Sequence, residues 1–297
     1  MYRSVLVAFL AVAVLSAQNV GAASSQPAPL AELTARRVGK TLYLPVSING
    51  KGPIWFAVDT GAYQSVVDAS VAQTAGLKVI GAGTVRGTGE GDVPVKHIAA
   101  VTMQLGGLAI PVPEPLLIDL SGTGNPEWMH GLIGAELFEK YVVQMDYEHN
   151  VFRIFDAESF SKPSGAAEIP VVIKNHRFFL DAAIDVSDKQ TVTHQLRIDT
   201  GSEDSVADIA VKDGTAVRET TLGNGLGANY KGYSGIFKAV HLGPFTFQNV
   251  WGPGAPNPGI GMEMFRRFTA TFDIPHGKLY LQPNQHFNDP FPSPPSQ

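Results

Sequence analysis

The tripeptide Asp-Thr-Gly occurs twice in this chain, at residues 59–61 and, 140 positions later, at residues 199–201. Each copy follows a short run of apolar residues, and the ten residues from Asp59 align without a gap with the ten from Asp199. Six of those ten positions are identical. This match predicts a duplicated domain, in which pseudo-two-fold symmetry brings equivalent points of the two copies together.

A second repeated pattern lies downstream of each copy. The sequence Ile-Gly-x-Glu-x-Phe at Ile133–Phe138 returns 127 positions later at Ile260–Phe265. Asp146 and Asp273 then follow in the same register. Because the offset falls from 140 to 127, the second copy is shorter between its Asp and its Ile-Gly. The halves are therefore related without being equivalent.

The two repeats and the composition between them predict six segments. In chain order we expect a signal peptide at 1–23, a linker at 24–35, a first lobe at 36–157, an inter-lobe linker at 158–169, a second lobe at 170–283 and a Pro-rich tail, extended or disordered, at 284–297.

The first 23 residues have the pattern of an export signal. Arg3 supplies a positive charge, an apolar run follows from Val5 to Leu15, and small residues at 20–23 offer a cleavage site. An uncleaved membrane anchor is the alternative, but the apolar run is short for a bilayer span. We therefore expect a periplasmic or secreted protein with no stable membrane span after cleavage.

Composition narrows the possible classes of protein. Hydrophobic residues make up 44% and charged residues 16% of the 297 residues, which is typical of a globular protein. The isoelectric point near 5.9 and the lack of a basic run argue against nucleic acid as a partner. The chain has no cysteine, which excludes disulfides and a thiol nucleophile.

Short apolar runs separated by turn residues predict an all-β fold with small helices. Two strands, 41–48 and 53–58, flank the hairpin-turn sequence Asn49-Gly50. Short helices are expected at 69–75 and 135–140. Asp68 and Asp208, which also repeat, are interpreted as helix N-caps. Asp146 and Asp273 are interpreted as turn or strand-end residues.

Two facing carboxyl groups provide a specific chemistry. Held within contact, they cannot both ionise easily, so the pair retains one proton over a range of pH. The ionised member can act as general base on a water, and the protonated member as general acid towards a carbonyl oxygen. Glycine after the Thr allows two backbones to approach closely, and a Thr hydroxyl can hydrogen-bond across the axis. Asp59 and Asp199 are therefore the candidate catalytic pair.

The two Asp-Thr-Gly loops, each followed by an apolar Ile-Gly segment, resemble the pepsin/retropepsin family of aspartic proteases over roughly residues 36–283. The resemblance implies two pseudo-symmetric, retropepsin-like acid-protease barrel lobes around a central cleft. It implies an aspartic endopeptidase that needs no cofactor and no metal and acts on a peptide or protein substrate. Asp59 and Asp199 would be catalytic, with the pair supported by Thr60, Gly61, Thr200, Gly201 and Ser202.

The same resemblance implies a glycine-rich flap that closes over the substrate. Residues 86–95 and 223–234 both have the necessary composition, so we expect one flap on each lobe. The candidate flap and substrate-binding residues are Gly87, Thr88, Gly89, Glu90, Gly91, Gly225, Gly227 and Tyr230.

One difference between the copies suggests unequal roles for the two carboxyl groups. Ser202 follows the second Asp-Thr-Gly where Ala62 follows the first. A serine hydroxyl could donate a hydrogen bond to Asp199 and favour its ionisation, which would leave the shared proton on Asp59. We expect Ser202 to make this contact.

Other chemistries have less support. The eight histidines show no His-Glu-x-x-His spacing, and no Gly-x-Ser-x-Gly is present. The glycine-rich stretch 81–91 lacks the Gly-Lys-Ser/Thr of a phosphate-binding loop. A glycosidase would not need two symmetric Thr-Gly loops. The main alternative is an inactive or weakly active peptide-binding protein of the same fold. The internal duplication favours a monomer.

Overall fold

A computed structural model describes residues 26–223 and 225–292 of the chain, and within them the backbone is mostly β-strand. The strands before the first helix are β1 (Ala31–Thr34), β2 (Arg36–Val38), β3 (Thr41–Ile48), β4 (Lys51–Val58), β5 (Val66–Asp68), β6 (Val79–Val85), β7 (Val93–Ile98), β8 (Val101–Leu105), β9 (Leu108–Val112), β10 (Leu116–Ile118) and β11 (Met129–Ile133).

Helix α1 (Ala135–Lys140) is followed by β12 (Tyr141–Asp146), β13 (Val151–Asp156), β14 (Ala167–Pro170), β15 (Val172–Lys174), β16 (Arg177–Ser187), β17 (Gln190–Ile198), β18 (Val206–Ala207), β19 (Thr215–Leu222), β20 (Tyr230–Leu242), β21 (Phe245–Pro253) and β22 (Gly259–Ile260). Helix α2 (Met262–Phe265), β23 (Phe268–Asp273) and β24 (Lys278–Pro283) complete the order. Three 3₁₀ helices lie at Ala69–Val71, Ile209–Asp213 and Ile274–His276.

These strands form three sheets. A ten-stranded sheet has the order β6-β7-β10-β5-β11-β4-β3-β8-β9, with β2 beside β3. An eight-stranded sheet has the order β18-β22-β17-β16-β20-β19, with β15 on β16 and β21 on β20. The first draws only on residues before α1, and the second only on residues after β14. Each Asp-Thr-Gly therefore belongs to a different sheet.

The third sheet joins the two parts of the chain. Its order is β1-β13-β12-β23-β24-β14, so three strands from the first half of the chain lie beside three strands from the second half. At its centre β12 pairs antiparallel with β23, and Gln144 faces Thr271, 127 residues away. The amide Nε2 of Gln144 donates a hydrogen bond to Oγ1 of Thr271 at 3.1 Å. The downstream sequence repeat therefore meets its own counterpart here.

Several local predictions are confirmed. Asn49 and Gly50 form the β3–β4 turn with φ of 49° and 77°, a left-handed conformation that this pair of residues adopts at low cost. Helix α1 has the predicted bounds. Asp68 and Asp208 cap the 3₁₀ helices that follow them by accepting hydrogen bonds from the amides of Ser70 and Ala210, both at 2.9 Å.

Asp146 and Asp273 end strands β12 and β23, as predicted. Each carboxylate contacts Nδ1 of a histidine three residues later, His149 at 3.0 Å and His276 at 2.6 Å. The paired positions therefore stabilise equivalent turns. By contrast, the helix expected at 69–75 is only the 3₁₀ turn Ala69–Val71 followed by hydrogen-bonded turns that end at Gly76, whose φ is 66°.

The two predicted linkers are partly wrong, because each contains a strand. Ala31–Thr34 forms β1, which pairs antiparallel with β13, and Ala31 and Leu33 are buried. Ala167–Pro170 forms β14 at the opposite edge of the same sheet. Each segment alternates over only four residues, which is too short a run to identify a strand from sequence. Their partners supply the hydrogen bonds that make them strands.

The expected extended tail also differs from prediction over residues 284–292. Phe287 and Phe291 pack against the main core, and Phe287 contacts the ring of Phe268 with centroids 5.5 Å apart. The buried guanidinium of Arg267 lies 3.9 Å from the Phe291 ring and donates to the carbonyl of Asp289 at 2.6 Å. Phe287, Phe291 and Arg267 therefore hold residues 284–292 against the core, although their Pro-rich composition predicts an extended tail.

Within the described residues, no helix is both long and apolar enough to cross a membrane. The predicted signal peptide at 1–23 and the last residues of the tail, 293–297, lie outside the described part of the chain.

Candidate active site

Two strand ends carry the aspartates of the repeated tripeptide. Strand β4 ends at Val58 and β17 ends at Ile198, so Asp59 and Asp199 begin the loops that follow. The amide of Asp59 donates to the carbonyl of Ile133, and the amide of Asp199 to that of Ile260, both at 3.0 Å. The Ile of each downstream Ile-Gly therefore holds the start of its loop, which gives the second sequence repeat a structural reason.

Reciprocal hydrogen bonds between Thr60 and Thr200 join the two loops. The amide of Thr60 donates to Oγ1 of Thr200 at 3.0 Å, and the amide of Thr200 donates to Oγ1 of Thr60 at 2.9 Å. Each hydroxyl also donates to the opposite strand end, Thr60 to the carbonyl of Ile198 at 3.0 Å and Thr200 to that of Val58 at 2.9 Å. Both threonines are buried, so water does not compete for these bonds.

Gly61 and Gly201 allow the loops to approach this closely. A Cβ atom on Gly61 would lie 2.5 Å from Oδ1 of Asp199, and one on Gly201 would lie 2.5 Å from Cγ of Asp59. Each carboxyl group therefore rests against the glycine of the opposite loop. A methyl group at either position would overlap a carboxyl group, so the requirement for glycine here is one of space.

The two carboxyl groups have different hydrogen-bond partners. Oδ1 of Asp59 accepts hydrogen bonds from the amides of Gly61 at 2.8 Å and Ala62 at 3.2 Å. Oδ2 of Asp199 accepts a hydrogen bond from Nη2 of Arg197 at 2.6 Å. Burial, followed by the negative charge of Asp199, raises the pKa of Asp59 to about 7. A proton on Asp59 is therefore favoured up to nearly neutral pH.

The contact expected of Ser202 is wrong. Its hydroxyl donates to Oδ2 of Asp204 at 3.1 Å and accepts from the amide of the same residue at 3.2 Å. This is a local turn interaction, which a serine two residues before an aspartate makes readily. Arg197, which lies in no recognised motif, provides the side-chain donor to Asp199 instead. Its position could have indicated this contact, because Arg197 lies two residues before Asp199 and alternate residues of a strand face the same side.

Asp59→Asn is expected to stabilise the protein at neutral and alkaline pH. The folded protein holds the Asp59 proton to about pH 7, whereas an unfolded chain releases it near 3.8. The folded state therefore binds more protons in this interval, and the free energy of unfolding falls as pH rises through it. Asparagine does not titrate. Above pH 7 we expect the variant to be more stable by about 4 kcal/mol, since each pKa unit corresponds to about 1.4 kcal/mol.

Denaturant unfolding at pH 4 and pH 8 measures this difference. The stability gain of Asp59→Asn should shrink towards zero at the lower pH. Asp181→Asn is the matched control, because Asp181 is exposed on β16 and its carboxylate accepts a surface hydrogen bond from Gln195 at 3.2 Å. A gain of equal size at both pH values would contradict the expected titration of Asp59.

The two predicted flaps are the loops of two hairpins, β6–β7 and β19–β20. Their tips are hydrogen-bonded to each other. The amide of Gly89 donates to the carbonyl of Leu226 at 2.9 Å, and Glu90 and Ala228 exchange two amide–carbonyl bonds of 2.8 Å. The candidate residues of the two stretches therefore meet across the halves of the chain.

The remaining candidate residues occupy defined places in these tips. Gly87 lies against Leu226, since a Cβ on it would be 2.4 Å from the Leu226 carbonyl oxygen. A Cβ on Gly225 would lie 2.7 Å from Oγ1 of Thr88. Left-handed φ values of 89°, 138° and 101° occur at Gly91, Gly225 and Gly227. Tyr230 begins β20 opposite Leu222, at the base of the second tip.

Gly89→Ala is expected to separate the two tips. A Cβ at this position would lie 2.5 Å from the carbonyl carbon of Gly227 and 2.8 Å from the oxygen of Ala228. The tips would have to move apart and lose their shared hydrogen bonds. Hydrogen exchange at the amides of Glu90 and Ala228 should become roughly tenfold faster, the loss expected for about 1.4 kcal/mol. Gly107→Ala is the control, because a Cβ there meets nothing within 4 Å. Unchanged protection would contradict the expected separation.

An apolar cluster covers one side of the site in the first half of the chain. Its buried members are Tyr43, Ala57, Val66, Val95, Leu116, Ile118, Leu120 and Met129. One residue of each flap, Val93 and Leu226, packs against it, as do Val85, Trp55 and Trp128. Trp55 and Ala57 alternate along β4 towards Asp59, so the cluster continues to the carboxyl groups. This predicts a preference for apolar groups on this side.

In the second half, the position that corresponds to Ala57 carries a basic side chain. Arg197 stands 140 residues after Ala57, and Arg177 lies on the neighbouring strand β16. The guanidinium of Arg177 lies 5.4 Å from the ring centroid of Tyr63, which follows the first Asp-Thr-Gly loop. Within residues 26–223 and 225–292, no group of three or more His, Asp or Glu side chains is arranged to hold a metal ion.

Comparison with known protein families gives an independent result for the first half of the chain. Residues 44–137 match the model of the aspartyl protease family. The matched stretch contains the first Asp-Thr-Gly loop and the first Ile-Gly segment, and it supports a hydrolase of the aspartyl protease type. A search of curated proteins found no significant match.

Proposed function

We propose that this protein is an aspartic endopeptidase built from two pseudo-symmetric, retropepsin-like lobes, with Asp59 and Asp199 as its catalytic pair. The reciprocal hydrogen bonds of Thr60 and Thr200 are the observation that carries the proposal. These bonds join the loop that begins at Asp59 to the loop that begins at Asp199, which supports a single site formed by both. The match of residues 44–137 to the aspartyl protease family supports the same chemistry for the first loop.

In the proposed reaction, water attacks the carbonyl carbon of a peptide bond. The ionised carboxylate takes a proton from the water, and the protonated carboxyl gives its proton to the carbonyl oxygen. The resulting tetrahedral diol then breaks down, with a proton passing to the leaving nitrogen. A pair that shares one proton supplies both acid and base at the same pH.

The substrate is proposed to be an extended peptide held beneath the two flap tips. The tips pair with each other through backbone groups, and those same groups could bond a peptide backbone once the tips part. Two hairpins, one from each half, favour the two-flap arrangement over a single flap. The protein is further proposed to act as a monomer, since both aspartates come from one chain, and to be exported through its N-terminal segment.

Digestion of a mixed peptide library between pH 3 and pH 8 tests this function. We expect cleavage within extended apolar sequences and its inhibition by a peptide isostere that carries a hydroxyl on a tetrahedral carbon. A peptide-binding protein of the same fold is the second candidate. If the protein binds the isostere tightly but leaves the library peptides uncleaved, that candidate is favoured over an enzyme.

A further inference from the structure

A cationic side chain contacts only one of the two aspartates. Nη2 of Arg197 lies 2.6 Å from Oδ2 of Asp199, and the side chains are 27% and 12% exposed. Arg197 and Asp199 are alternate residues at the end of β17 and therefore face the same side. The matched residue in the first half is Ala57, which is 2% exposed and uncharged. The two halves thus differ by one positive charge beside the reacting groups.

The other charged groups near the pair have different partners. On the second loop, Glu203 accepts a hydrogen bond from the amide of Lys40 at 2.7 Å, and Asp204 is bound by Ser202. On β16, Arg177 is stacked over Tyr63. From the first loop, the charged group that faces Asp199 is the carboxyl group of Asp59. In the described part of the chain, Arg197 is therefore the cation that forms an ion pair with the candidate dyad.

We propose that Arg197 is a positioning residue that keeps Asp199 as the carboxylate and leaves the shared proton on Asp59. This inference rests on the proposed endopeptidase function and deepens it by giving the two aspartates fixed roles. With Arg197 on Oδ2, the other oxygen of Asp199 receives the proton of the attacking water, and the Asp59 hydroxyl donates to the carbonyl oxygen. An arginine–carboxylate bond is strong enough to hold this orientation.

Loss of the positive charge should move the pH profile in one direction. Without Arg197, the carboxylate of Asp199 loses its cationic partner, so we expect the acid limb of the activity profile to move to higher pH. Arg197 also lowers the pKa of Asp59 against the larger effects of burial and Asp199, so its removal raises that pKa further. Both limbs of the profile therefore shift to higher pH.

The experiment measures kcat/KM against pH for a cleaved library peptide. In Arg197→Gln, we expect both limbs to move up by about one pH unit, so that kcat/KM on the acid limb falls about tenfold. Arg197→Lys, which retains the charge, should restore most of the acid limb. Arg197→Ala gives the second half the residue type found at Ala57 and serves as an independent neutral variant. Arg177→Gln is the matched control, and its profile should keep its position.

The pH dependence of binding of the hydroxyl isostere provides a second readout that does not need turnover. It should shift by the same amount in Arg197→Gln and not in Arg177→Gln. Profiles of the two neutral variants that superimpose on the wild type would overturn the role of Arg197, while leaving the endopeptidase intact if cleavage still requires Asp59. Cleavage that persists without either aspartate would instead reject the proposed function itself.

Discussion

Replacing Asp59 or Asp199 by asparagine is expected to lower kcat/KM for peptide cleavage by about 10³-fold or more. Asparagine fits the space of the carboxyl group but can neither accept the water proton nor share one with its neighbour. The two single variants and the double variant should be almost equally inactive, because the carboxyl groups act as one unit. Initial rates on a cleaved library peptide, at the optimum pH of the wild type, measure this loss.

Controls for this prediction separate chemistry from folding. Asp181→Asn makes the same change on an exposed part of β16 and should cleave at the wild-type rate. Thermal unfolding of Asp59→Asn should occur no earlier than that of the wild type above pH 7, since the substituted carboxyl group has a raised pKa. A folded Asp59→Asn protein that retained a tenth of the wild-type rate would rule out the proposed pair.

The positions of the two aspartates could be predicted because the repeat encodes them locally. Asp59 and Asp199 each follow an apolar strand, and the downstream Ile-Gly supplies the carbonyl that holds each loop. Helix α1 and the two N-caps follow from the same local chemistry. The all-β class follows from short runs with turn residues between them. These features need only neighbouring residues to specify them.

Features that depend on distant partners were harder to predict. Ser202 could donate to Asp199 or Asp204, and the sequence alone does not say which oxygen lies closer. Strand β1 exists because β13 presents a free edge to it, and that edge is more than a hundred residues away. The final segment packs because Arg267 binds Asp289 and stacks on Phe291. In each case the outcome is set by tertiary contacts, which composition does not encode.

The difference between the two Asp-Thr-Gly loops depends on both local sequence and tertiary contacts. The sequence shows that Ala62 and Ser202 differ, which led to the expectation that Asp59 carries the proton. The contact that favours this state involves Arg197 instead, with Ala57 as its counterpart. That Asp59 carries the shared proton therefore remains a prediction, and its physical cause is Arg197 in place of Ser202.

Thr60→Val and Thr200→Val are each expected to destabilise the folded protein by about 2–4 kcal/mol. Valine has nearly the same shape as threonine but lacks the hydroxyl, so each change removes one donor and one acceptor from a buried site. In Thr60→Val, the amide of Thr200 and the carbonyl of Ile198 lose their partner on the first loop. Leaving a buried backbone group without a partner costs about 1–3 kcal/mol.

Denaturant unfolding of the two single variants and the double variant, analysed as a double-mutant cycle, measures this effect. The second substitution should cost clearly less than the first, because the loss of the two hydrogen bonds of one threonine already loosens both loops. Thr60→Ser keeps the hydroxyl and is the matched control, with an expected loss below about 1 kcal/mol. Additive losses in the cycle would mean that Thr60 and Thr200 act independently, and the two loops would then not be locked to each other as the site requires.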